Sequence, residues 1–185
     1  MSALAVATSM SVAWTGPAIA GPSAALSVRK ALTWTVHVQE PVGVVLVGFD
    51  DQSDPYHGDT PVTRSLPLLC FKSVPEEIVP PEGVNLYYSP GVAMPSGYYS
   101  GWSRGWVALT PPIRGTSLTS LAVANQTCVN YFGDGWRMGE FHDGWWDNGG
   151  TYERGGWRYW AHGVVPADIR FWVHIDDQNA NPWGW

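Results

Sequence analysis

Residues 117–144 read SLTSLAVANQTCVNYFGDGWRMGEFHDG, and this stretch decides the expected fold. Leu118, Leu121, Ala122, Cys128, Val129 and Phe132 recur at steps of three and four, which predicts a helix with one apolar face. Thr116 or Ser117 is placed to cap its first turn, because a hydroxyl oxygen there accepts from an amide that has no intrahelical partner. Gly133 is placed to end it, since glycine enters the left-handed region without a Cβ penalty. Beyond the stop come Trp136, Arg137, Glu140, Phe141, His142 and Asp143, too dense in rings and ionisable groups for a plain connector.

Upstream of the helix the pattern changes from a period near 3.6 to a period of two. In 31–38 (ALTWTVHV), Leu32, Trp34, Val36 and Val38 alternate with Thr33, Thr35 and His37, which predicts a half-buried strand. Residues 42–49 are apolar on both sides and predict a more deeply buried strand in the same sheet. Short runs at 66–72, 84–88 and 105–110 predict further strands. Residues 74–83 are proline-rich and extended, and 89–104 predict a long loop carrying Tyr98, Tyr99 and Trp102. Downstream, 144–156 is too glycine-rich to be regular. Residues 157–162 (WRYWAH) and 168–175 (DIRFWVHI) restore strand alternation, with Ile169, Phe171, Val173 and Ile175 facing away from Arg170, Trp172 and His174. The expected fold class is α+β: short, mainly antiparallel strands, one clear helix and long aromatic-rich loops, in a single domain over 21–185.

Composition narrows the function. Of 185 residues, 45% are hydrophobic and only 14% charged, and eight of the 12 Trp lie from Trp136 onward, so aromatic surface is concentrated in the second half. A net charge of −6 with scattered Lys and Arg offers no basic face, which argues against nucleic acid and against an anionic membrane surface. The first charged residue is Arg29. Before it runs a stretch of small and apolar residues with Ala18-Ile19-Ala20 ahead of Gly21, the pattern of a signal peptide over 1–20 and of a secreted or periplasmic protein. Gly16-Pro17 and Gly21-Pro22 interrupt that run, so no membrane insertion is expected once the signal is removed. In an oxidising compartment Cys70 and Cys128 are expected to form one disulfide, worth about 3–4 kcal/mol on chain-entropy grounds.

The helix ending at Cys128, the run from Phe132 through Gly133-Asp134-Gly135-Trp136-Arg137-Met138, and the acidic Glu140 together resemble the bacterial branch of the C-type-lectin-like superfamily. There a Cys-bearing helix leads into a G-W-R-L-P-T type segment followed by Glu. DIRFWVHIDDQ likewise looks like the closing strand of such domains, which ends beside the N-terminal strand. The resemblance covers 116–185 and implies a C-type-lectin-like fold. Met138-Gly139 stands where those relatives have Leu-Pro-Thr. The chain lacks the E-P-N or Q-P-D triplet and the W-N-D that carry calcium-dependent sugar binding, so that activity does not carry over. No Cys follows Cys128, so the oxidase chemistry of the formylglycine-generating relatives is not implied either. The run G-W-R-M-x-E-F-H-D-G also resembles a group of secreted bacterial proteins, a likeness that assigns no activity.

Three functions follow as expectations. The leading one is a secreted or periplasmic binding module that recognises a carbohydrate or a protein surface through Trp145, Trp146, Trp157, Tyr159 and Trp160, since flat rings on loops make stacking platforms. The same rings have a competing reading as core. The second function is a metal-assisted hydrolase using Glu140, His142 and Asp143, with His57 and Asp59 as auxiliaries and His162 and His174 as further imidazoles. Against it stands a local role, in which Asp143 caps a turn while Glu140 pairs with Arg137 or bonds loop amides. The third is a structural subunit of a surface appendage or coat, with self-association through the aromatics. No cofactor is implied, calcium or another metal staying open, and the carboxylates of 50–64 (DDQSDPYHGDTPVTR) read as a solvated loop rather than a cation site. No nucleophile elbow, phosphate loop or H-E-x-x-H occurs, so catalysis is the minor expectation.

Overall fold

The computed structural model describes residues 29–82, 84, 100–148 and 151–181, with the backbone alone at 146–148 and 151–153. The expected signal peptide at 1–20, the 84–88 strand apart from Val84, most of the 89–104 loop and the last four residues lie outside these.

The alternating N-terminal run becomes β1 (Lys30–Ala31) and β2 (Thr33–Glu40), and β2 pairs antiparallel with β3 (Val44–Gly48). β3 is apolar throughout because both its faces are covered: Val45 and Val47 enter the main core, whereas Val44 and Leu46 pack on the opposite face with Trp102 and Trp160. In β2 the alternation breaks once. A register shift between Val36 and Val38 turns Val38 away from Leu32 and Trp34 and onto the Val44 side.

β4 (Thr60–Pro61) pairs with β1, and β5 (Ser65–Leu66) with β8 (Ile113–Arg114). β6 (Leu69–Ser73) lies beside the second half of β7 (Gly101–Leu109), which starts earlier than the expected 105–110 strand. Then follow β9 (Arg137–Met138), β10 (Trp145–Asn148), β11 (Thr151–Arg154), β12 (Arg158–His162) and β13 (Arg170–Trp172). The main sheet runs β11-β10-β7-β12-β3-β2-β13, with β6 branching from β7 and β9 from β6. Its pairs are antiparallel except β12 on β7, so the expectation of mainly antiparallel strands in an α+β fold holds. The glycine-rich 144–156 segment corrects the sequence reading: it is a hairpin, Trp145 opposite Arg154 through Asn148 opposite Thr151. Its glycines fall outside both strands, leaving WWDN and TYER free to pair.

Among the described residues there is one α-helix, α1 (Leu121–Phe132). Ser120 caps it, its Oγ accepting from Val123 N at 3.2 Å. Thr116 and Ser117, expected as caps, lie instead in or beside a separate 3-10 turn (Gly115–Ser117), after which Leu118 drops into the core. The helix closes on Gly133 (φ 93°), whose N–H donates to Val129 O at 2.8 Å. Its buried residues are Ala124 and Cys128, four apart on one face. Ala122, expected on that face, is exposed because two steps of about 100° carry it round to the far side. The Cys70–Cys128 disulfide ties α1 to β6 over the core formed with Leu68, Met138 and Trp172.

The last strand closes the fold. β13 pairs antiparallel with β2, sending Phe171 into the main core and Trp172 into the core beneath the helix, as the alternation requires. Arg170 donates to Asp50 at 2.6 Å and to Thr33 and Ser53, so the 50–60 loop is fastened to β2 and β13. No described helix is long and apolar enough to cross a membrane.

Candidate functional site

The dense run after the helix is built as a short turn stitched between two strands. Gly139 N donates to Leu69 O at 2.8 Å, His174 N to Gly139 O at 2.9 Å, and Phe141 N to His174 O at 2.8 Å. A Cβ at Gly139 would lie 2.9 Å from the Leu69 side chain, which explains glycine after Met138. Phe141 then anchors the turn from below, its ring 5.1 Å from Trp34 and 5.5 Å from Trp157.

The three polar residues of the turn do different work. Asp143, with 1% of its side chain exposed, accepts from Arg137 through both Nη atoms, from Arg154 Nη2 at 3.1 Å and from Glu140 N at 2.8 Å. Burial lowers the Arg137 pKa most, but the charge and hydrogen bonds of Asp143, with the charges of Tyr159 and Glu140, together hold the guanidinium above its ordinary value. Arg137 also lies over the Phe71 ring at 4.8 Å. Every acceptor direction of Asp143 is engaged inside the fold, so it is structural and does not share a ligand site with Glu140 and His142.

Glu140 accepts from His142 N at 2.6 Å and from His142 Nδ1 at 3.0 Å, and it reaches the amide of Asp176 at 3.3 Å. His142 in turn has Asp176 Oδ1 3.5 Å from Nδ1 and Asp177 Oδ2 3.9 Å from Nε2. The bond to Glu140 raises the His142 pKa, burial opposes it, and the charges of Asp177 and Asp176 add to the rise. Glu140, His142 and Asp176 each present a ligand atom within 4.8 Å of the others. Asp176 therefore occupies the place expected for Asp143.

His142 also borders an aromatic cleft of about 130 Å³. Tyr56, Phe141, Trp157 and Ile175 give it apolar surface, and Asp177 and Gln178 supply acceptors and a donor. On the other side of the turn a groove of about 260 Å³ runs past Leu121, Asn125, Glu140, Arg154, His174 and Asp176.

The expected aromatic platform is only partly at the surface. Tyr159 is fully buried between Trp34 and Phe71, and Trp160 is buried on the opposite face against Trp102, Val44 and Leu46. Neither can meet a ligand, because successive residues of β12 point into two covered faces. Trp145 is half-buried under Arg104, 4.7 Å from its ring, the Trp146 side chain lies outside the described atoms, and of the four described side chains Trp157 alone lines the aromatic cleft. The auxiliary pair does not converge either. His57 is exposed and bonds Asp54 at 3.2 Å, whereas Asp59 turns inward to Thr33 and Thr60. In that loop Asp50 and Asp54 accept from the loop's own amides, and Asp50 also from Arg170. His162 pairs with Glu77 at 2.7 Å between Trp102 and Trp106, far from the turn in the sheet.

Sequence reasoning missed Tyr56, Asp176, Asp177 and Gln178. The available signal was the DDQ following the last strand, which gains meaning only when Glu140 and His174 form a parallel bridge. Compared with protein-family models, with curated proteins and with solved structures, the chain matches none.

Proposed function

We propose that this chain is a secreted or periplasmic binding module of C-type-lectin-like architecture that recognises a carbohydrate at the cleft between Tyr56 and Trp157. The observation that carries the reading is the meeting, in one cleft, of the aromatic side chains of Tyr56, Phe141 and Trp157 with an acid and an amide, Asp177 and Gln178. A sugar ring presents an apolar C–H face and an equatorial rim of hydroxyls, and this lining offers a stacking surface and hydrogen-bond partners together. The architecture is supported by the pairing of the last strand with the N-terminal one and by the Cys-bearing helix bonded to the sheet. Export is supported by the disulfide. The cleft's volume of about 130 Å³ is that of a site for a small ligand rather than for a flat protein epitope, which favours a sugar over a protein surface as the ligand.

Tyr56 is exposed and packs little of the core, so Tyr56→Ala separates binding from folding. On a glycan array, binding by the wild-type chain is expected to fall about tenfold in Tyr56→Ala and in Asp177→Asn, with unchanged melting temperatures. No glycan bound by the wild-type chain, or equal binding by both variants, would sink the proposal. The metal-assisted hydrolase remains as a second reading because of one observation, the convergence of Glu140, His142 and Asp176.

A further inference from the structure

The turn holds more than the cleft requires. We propose that Glu140, His142 and Asp176 bind one divalent transition-metal ion of the zinc class, at the junction of the aromatic cleft and the neighbouring groove.

Three features of the cluster carry this. The first is spacing: a four-coordinate zinc site with bonds of 2.0–2.2 Å has ligand–ligand edges of about 3.3 Å. His142 Nδ1 lies 3.0 Å from Glu140 Oε1 and 3.5 Å from Asp176 Oδ1, on either side of that value. The remaining edge, between the two carboxylates, is within 4.8 Å and closes by rotation of Asp176, whose side chain is 66% exposed. The second is rigidity. Glu140 is held by the amides of His142 and Asp176, so its carboxylate is aimed before any ion arrives. The third is the outer contact. With the metal on Nδ1, the ring proton resides on Nε2, which faces the Asp177 carboxylate at 3.9 Å, near enough for that negative charge to favour the protonated Nε2.

An independent observation lies in the groove itself. His174 lines it beside Glu140 and Asp176, is only 7% exposed, and its Nδ1 is buried without a hydrogen-bond partner. An imidazole with two carboxylates selects a borderline ion, whereas calcium favours six to eight oxygens, which this cluster does not offer. Three protein ligands leave one position for water or a ligand oxygen.

The inference does not depend on sugar recognition, and its test uses no sugar. Chelator-treated, disulfide-bonded full-length chain is titrated with zinc chloride in a calorimeter, alongside His142→Ala, Asp176→Asn and, as a surface control, His57→Ala. One equivalent of zinc is expected, at least 100-fold weaker in His142→Ala and Asp176→Asn and unchanged in His57→Ala. The melting temperature should rise with zinc in the wild type and stay fixed in Asp176→Asn, whose zinc-free melting should match the wild type because Asp176 is exposed. Absence of stoichiometric uptake, uptake that survives both ligand substitutions, uptake lost in His57→Ala, or calcium binding as tightly as zinc would each overturn the assignment.

Discussion

Replacing Asp143 by alanine tests how the site is held. The substitution removes four hydrogen bonds at once, two from Arg137, one from Arg154 and one from the Glu140 amide, and strands a half-buried guanidinium. Breaking a buried ion pair by deleting one partner costs about 3–5 kcal/mol. Arg137 keeps 38% of its side chain in water and recovers part of its solvation, so the lower end applies, about 3 kcal/mol. In a domain of this size each kcal/mol moves the melting temperature by about 2–4 °C, giving a fall of about 6–12 °C by calorimetry. Asp143→Asn keeps an acceptor for the Glu140 amide and should lose roughly half as much. Arg154→Ala, at a side chain that is half exposed, should cost no more than about 1 kcal/mol. The reasoning fails if Asp143→Ala melts within 2 °C of the wild type, or if Arg154→Ala costs as much as Asp143→Ala. In the first case the turn would be held by its backbone bonds alone.

Two further outcomes follow from the fold. Ser120→Ala should destabilise by about 1 kcal/mol in urea unfolding while Ser117→Ala leaves stability unchanged, since only Ser120 accepts from an amide of the helix; the reverse order would place the helix start at the 3-10 turn. His37 is held below its ordinary pKa of 6.5, first by burial and then by the Arg158 charge, with its Nε2 2.8 Å from Phe49 O. Because the folded value is the lower one, its contribution is complete above about pH 6.5 and is lost as the pH falls through the folded value. The stability difference between the wild type and His37→Gln should therefore shrink on acidification below pH 6.5, and a difference that is constant with pH would refute the assignment.

Where one local period ruled, the sequence was enough. The helix stop at Gly133, the two-sided burial of β3 and the opposed faces of Phe171 and Trp172 follow from spacing, because side-chain direction repeats every 3.6 or every two residues whatever the neighbours. The Cys70–Cys128 bond was legible because the chain has just two cysteines. The α+β class followed from the same patterns. Spacing failed where a single residue or a turn reset the register: the irregularity at Val36–Val38, the cap at Ser120 rather than Ser117, and the hairpin hidden among glycines.

The site depended on tertiary structure for a different reason. Glu140 and Asp176 are 36 residues apart and meet because the turn after β9 runs beside the segment that follows β13. Asp143, three residues from Glu140, looked an equal ligand, yet Arg137 and Arg154 claim it from the interior. Which rings are surface and which are core was likewise settled by the sheet. Tyr159 and Trp160 are adjacent in sequence and both buried, on opposite faces, because each face of β12 is covered by a separate core. The sequence by itself determined the residue types available around the turn and the elements that carry them. Only the closure of β13 on β2 decided which of those residues share a cleft, because proximity between distant segments is a property of pairing and packing that no local period encodes.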